Sequence, residues 1–160
     1  MKPSDPGAEA PRGAVKPEHL VEIEALRILK ARYFRLLDTR ALDAWAALFT
    51  EDVHIRWESG GDRVTEYRGR DAMLSGVRAM LAANGGTTRT AHQGHLAELE
   101  ILDAERARGI WGMSDCVQTA RMTRRGFGHY HERYRKDGGE WRIEWLHLTR
   151  LWCEFGPPTI

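Results

Sequence analysis

At 160 residues with 42% hydrophobic content, the chain fits one domain whose core is large enough to enclose a pocket, and a second domain is not expected. Its 24 Lys and Arg stand against 23 Asp and Glu, so no net field draws nucleic acid or an anionic membrane from a distance. Cys116 and Cys153 have no CxxC spacing and read as free thiols, and no apolar run approaches the roughly 20 residues of a membrane span, so a soluble, cytoplasmic protein is expected.

Residues 1–17 are rich in Pro, Gly and Ala without apolar periodicity, which predicts a disordered tail before a domain over 18–160. From Glu18 to Leu37 the apolar spacing predicts a first helix, with Leu26, Leu29, Tyr33 and Leu37 on one face. That helix ends on Asp38, where the macrodipole is negative and a carboxylate is unfavourable. "RALDAWAALF" predicts a shorter second helix, which Asp38 or Thr39 could cap. "VHIRW" alternates Val53, Ile55 and Trp57 with His54 and Arg56 as a half-buried strand does, and "SGGD" reads as its hairpin turn. "GRDAMLSGVRAMLAANGG" is a third helix, with Asp71 near its start and glycines at its close. Segments near 88–102, 106–120, 124–136 and 140–152 then read as long strands. The order predicts an α+β domain in which three helices in the N-terminal part cover one face of a curved, mostly antiparallel sheet and can enclose a cavity.

Several residues could do chemistry. "TAHQGH" offers His92 and His95, and a neutral imidazole is a competent base near neutral pH. Asp115 shares strand parity with Trp111 and Met113, so it faces an apolar wall and needs a partner. Arg150 is the candidate partner or a substrate anchor, and a structural salt bridge between the two is equally open. Trp57, Trp111, Trp145 and Trp152 read as core residues, and Trp57 and Trp111 also as walls of a pocket for an apolar ring. His129 and His131 share a strand face, yet no third ligand stands at motif spacing and no metal site is expected. The basic run "RMTRRGFGHYHERYRK" reads as a solvated strand face, with no nucleic-acid partner expected. Gly-rich phosphate loop, Ser-centred elbow and HExxH are all missing.

The segments "RYFRLLDTRALDAWAALFTEDVHIRW", "TAHQGH", "ARGIWGMSDC" and "GHYHERYRKDGGEWRIEWLHLTR" resemble the SnoaL-like branch of the nuclear transport factor 2-like superfamily. Within it they are similar to the group of bile acid 7α-dehydratases, scytalone dehydratases and hexachlorocyclohexane dehydrochlorinases. The resemblance implies a cone-shaped α+β barrel with a cofactor-free pocket, assembled as a homo-oligomer, trimer or dimer. It implies that Asp38 holds His92, the base, and that Tyr33 polarises a substrate oxygen, although as a residue Tyr33 is equally a core tyrosine. It matches Asp115 and Arg150 to an acidic pocket residue and a C-terminal arginine of the dehydratases. The residues alone leave Asp38 open between cap and dyad. The implied activity is elimination by proton abstraction, or isomerisation or cyclisation, on an apolar ring compound such as a steroid, terpenoid or polyketide. The alternative is a non-catalytic ligand-binding or assembly module like the β subunit of ring-hydroxylating dioxygenases.

Overall fold

The computed structural model describes residues 16–60 and 63–158. Most of the expected tail, residues 1–15, and the tip of the "SGGD" turn therefore lie outside the described residues. A 3-10 turn at Pro17–His19 opens helix α1, Leu20–Asp38, which buries Ile23, Leu26, Leu29, Lys30, Tyr33 and Leu37 at helical spacing. The helix stops where the Thr39 hydroxyl donates back to the Arg35 carbonyl at 2.8 Å and Arg40 turns to φ +63°, left-handed backbone that a non-glycine residue adopts at a cost. Helix α2 is only Leu42–Ala46, shorter than its apolar pattern. The sheet captures the residues beyond it, because the Ile143 amide donates to the Leu48 carbonyl and Phe49 pairs with Ile143.

Strands β1, Phe49–Glu58, and β2, Val64–Arg68, form an antiparallel pair. Helix α3, Arg70–Ala82, follows Gly69, and a 3-10 turn at Ala83–Gly86 leads to four long strands. These are β3, Arg89–Ile101; β4, Arg106–Gln118; β5, Thr123–Asp137; and β6, Glu140–Gly156. One six-stranded sheet runs in the order β2-β1-β6-β5-β4-β3, and only the β1–β6 pair is parallel. Register shifts at Gly94/Ala97, Phe127/Gly128 and Arg133/Tyr134 add curvature, as bulges do. The result is the expected α+β arrangement, a curved sheet with helices on its concave face.

Alternation along the strands decides what is inside. On β4, Ala107, Trp111, Met113 and Asp115 are buried, and on β5 so are Tyr130, Glu132 and Tyr134. Deep in this core Lys30 of α1 pairs with Glu132, and its ammonium sits 4.2 Å and 3.7 Å from the ring centres of Tyr33 and Tyr130. Tyr134 donates to the second Glu132 oxygen at 2.5 Å, and the Trp111 indole donates to Tyr134 at 2.8 Å. One expected core tryptophan, Trp152, goes elsewhere. Trp152 is 50% exposed and stacks on Phe127, because the end of β6 runs beyond the helical cover. Trp145 is buried on the strand face opposite Tyr134, under the Arg133 guanidinium.

Candidate active site

Sheet register sets the candidate residues in rows. His92 on β3 pairs with Asp115 on β4, which pairs with Gly126 on β5; the next row on the same face, two residues away, is Thr90, Val117 and Arg124. Helix α1 packs along β3 and delivers the carboxylate of Asp38 to the start of these rows. Oδ1 of Asp38 accepts from Nδ1 of His92 at 2.7 Å and from the Thr90 hydroxyl at 2.8 Å, while Oδ2 accepts from the His92 backbone N–H at 2.8 Å. Burial pushes the Asp38 carboxyl up, but the His92 ring, the His92 amide and Thr90 together hold it below the usual carboxylate range.

These donors account for an acid at a helix C-terminus, since charge-assisted bonds outweigh a dipole penalty of about 0.3–1 kcal/mol. Neither Asp38 nor Thr39 caps α2, whose N-cap is Ala41 with no side-chain bond. An aspartate on Nδ1 fixes that nitrogen as the donor and leaves the lone pair of neutral His92 on Nε2.

Arg40 and Thr90 were not legible as site residues. Arg40 donates to the Thr90 hydroxyl oxygen at 2.8 Å, to the Leu37 carbonyl at 3.0 Å and to the Thr88 carbonyl at 2.7 Å. Its bond to Thr90 turns the hydroxyl proton toward Asp38. The only signal available in the sequence was Thr90 standing two residues before His92, on the same strand face.

His92 lines a cavity of about 170 Å³ with Tyr33, Leu37, Trp57, Val77, Tyr130 and Leu148 on its apolar side. Asp115 and Arg150 form a buried fork, with Nη1 to Oδ1 at 3.1 Å and Nη2 to Oδ2 at 2.5 Å. Burial disfavours the Arg150 cation, yet Asp115 holds it above its ordinary value. Gly126 makes this possible, since a Cβ there would lie 2.1 Å from Nη1 of Arg150 and 2.6 Å from Oδ1 of Asp115.

Tyr33 faces Tyr130, ring centres 5.9 Å apart, and burial raises both phenols while a hydrogen bond couples their hydroxyls. Tyr130 carries no sequence signal of its own, since it stands between two histidines that share the opposite strand face. Trp111 does not line the cavity, because its indole is held by Tyr134 deeper in the core. His95 is exposed and its Nε2 bonds Ser114 at 3.1 Å, away from Asp38. His129 and His131 have ring centres 6.3 Å apart, and among the described residues no group of three His, Cys, Asp or Glu is arranged to hold a metal ion. No helix among the described residues is long and apolar enough to cross a membrane.

The arrangement can accept a proton at Nε2 of His92, stabilise the resulting imidazolium, and offer phenols and a guanidinium to a substrate oxygen. Solved structures share the fold. A scytalone dehydratase-like protein from Novosphingobium aromaticivorans superposes with a TM-score of 0.74 at 20% identity, over 85% of this chain and 88% of that one. The hexachlorocyclohexane dehydrochlorinase LinA-type3 from Novosphingobium barchaimii gives 0.70 at 19% identity, over 89% and 93%. A β subunit assigned to the aromatic-ring-hydroxylating dioxygenases of N. aromaticivorans gives 0.66 at 18% identity, over 81% and 89%. No curated protein matches the sequence. The family model of the SnoaL-like domain matches residues 18–147, most of the described fold and all the cavity-lining residues except Leu148 and Arg150, and the chain belongs to that family.

Proposed function

We propose that the cavity is the active site of a cofactor-independent lyase that eliminates water from an apolar ring compound, with a steroid, terpenoid or polyketide as the substrate class. The observation that carries this reading is the 2.7 Å contact between Asp38 and Nδ1 of His92, which leaves Nε2 of a cavity-lining histidine as the base. His92 takes a proton from carbon beside a carbonyl, and Asp38 stabilises the imidazolium. Tyr33 hydrogen-bonds the oxygen that becomes enolate-like, and Trp57 packs on the ring. The C–O bond then breaks, and the departing hydroxyl leaves as water with the proton returned by His92, while Arg150, held by Asp115, steadies it. Isomerisation or cyclisation would begin with the same proton abstraction. The protein works as a homo-oligomer, a trimer or dimer.

A panel of hydroxylated steroids and aromatic polyketides, screened by mass spectrometry for loss of water, tests the reading. On a substrate so found, His92→Ala lowers turnover by about 10²–10⁴-fold while the variant still folds and melts cooperatively. Equal rates for the two proteins across the panel would sink elimination. Tight binding without turnover would favour the assembly-module reading, which draws on the likeness to a dioxygenase β subunit and on exposed Leu151, Trp152 and Phe155 along β6.

A further inference from the structure

The cavity carries more cationic groups than its own carboxylates engage. Arg40, Arg124 and Arg150 line it with Asp115 and Glu58, and Asp38 stands behind the Thr90 hydroxyl. Arg150 occupies both oxygens of Asp115 and leaves Arg124 one long contact at 3.4 Å. Nε of Arg124 is buried without a partner, a donor stripped of water and given nothing in return. Glu58 is engaged elsewhere, with one oxygen 3.1 Å from Nε2 of His147 and the other accepting from the Arg150 backbone N–H at 3.3 Å. Arg40 makes its three bonds to the Leu37 and Thr88 carbonyls and the Thr90 hydroxyl, and among the described residues no carboxylate pairs with it. The chain holds this guanidinium at the cavity even though Arg40 must adopt left-handed backbone.

Register fixes where the Arg40 and Arg124 guanidinium groups lie. Thr90, Val117 and Arg124 stand side by side across β3, β4 and β5, so Arg40, bound to Thr90, and Arg124 flank Val117. They span about two strand spacings, roughly 10 Å. Their row lies two residues along the strands, on the same face, from the row of His92 and Asp115.

We propose that Arg40 and Arg124 form an anion subsite, and that the compound entering the cavity bears a carboxylate on its apolar body, displaced along the strands from the carbon that faces His92. This rests on reading the cavity as a substrate site. A carboxylate fits because its two oxygens match the fork of a guanidinium and supply an acceptor to the orphan Nε of Arg124. A ketone or ester carbonyl presents a single, uncharged acceptor atom to that fork. Were Arg40 only a latch for the α1–α2 corner and Arg124 only a second partner for Asp115, neither would discriminate an acid from its ester.

The test uses the full chain and two small probes, 2-naphthoate and methyl 2-naphthoate, with binding followed by calorimetry and tryptophan quenching. The acid binds about tenfold tighter than the ester at low salt, and added salt erodes that advantage. Arg124→Gln weakens the acid about tenfold and leaves the ester within about twofold. Arg40→Gln acts in the same direction, and Arg40→Lys, which keeps the charge, recovers part of the loss. Equal affinity for acid and ester, equal weakening of both by Arg124→Gln, or no binding of either up to about 5 mM would overturn the subsite. Binding involves no turnover, so His92→Ala retains the acid preference; if the dehydration screen fails while that preference stands, only the lyase reading falls.

Discussion

Two clusters of buried polar groups meet α1 on either side of Tyr33, and they treat their hydrogen-bonding capacity in opposite ways. Around Lys30 the groups answer to one another: Lys30 pairs with Glu132, Tyr134 donates to Glu132, and Trp111 donates to Tyr134. Around Asp38 the carboxylate is satisfied by three donors, yet the groups it supports are left with open edges toward the cavity. Both clusters carry desolvated charge, so burial alone does not mark a working site. What separates them is whether a polar edge remains uncommitted where a small molecule can reach it.

The largest expected effect falls on the closed cluster. Lys30→Met strands the Glu132 carboxylate in the core and lowers stability by about 3–5 kcal/mol in urea unfolding, and Lys30→Met with Glu132→Leu recovers most of that. Burial already pushes the Lys30 ammonium below its ordinary value while Glu132 pulls it back, which is why removing one partner costs more than removing both. A loss under about 1 kcal/mol would show that the pair is not sealed from water, and the contrast between the clusters would collapse.

A smaller effect separates the tyrosines. With a substrate in hand, the proposed mechanism expects Tyr33→Phe to lower turnover by about 10–100-fold as a hydrogen bond to a developing oxyanion is lost, and Tyr130→Phe to lower it too, because the two hydroxyls are hydrogen-bonded. Tyr134→Phe leaves turnover near wild type and instead destabilises by about 1–3 kcal/mol, since Glu132 and Trp111 each lose a partner. Equal kinetic losses for all three would put Tyr134 in the same category as the cavity phenols.

The smallest effect is a pH dependence. The folded protein holds Asp38 below its ordinary pKa of about 4, so its contribution to stability is fully present above that value and is lost as pH falls through the depressed folded value. Urea unfolding at pH 7, 5, 4 and 3 should therefore fall off less steeply for Asp38→Asn than for wild type. Parallel curves would mean that the bonds from His92 and Thr90 contribute nothing to folding.

The sequence by itself determined the elements and their faces. The α1 stripe, the parity that turns Trp111, Met113 and Asp115 to one side of β4, and the helix-then-strand order were all readable, because periods of 3.6 and 2 are local backbone geometry written directly into residue spacing. Alignment of Asp38 with His92 came from resemblance, since spacing alone allowed a cap for α2. Tertiary structure alone decided which row each residue joined. It set Trp111 against Tyr134 instead of the cavity, turned His95 outward, and brought Arg40 to Thr90 and Tyr130 to Tyr33. It also gave Gly126 its purpose, a gap for the Asp115–Arg150 fork. Those placements depend on strand register, bulges and the corner between α1 and α2, which are settled by the sum of long-range contacts, so no local stretch of the chain encodes them.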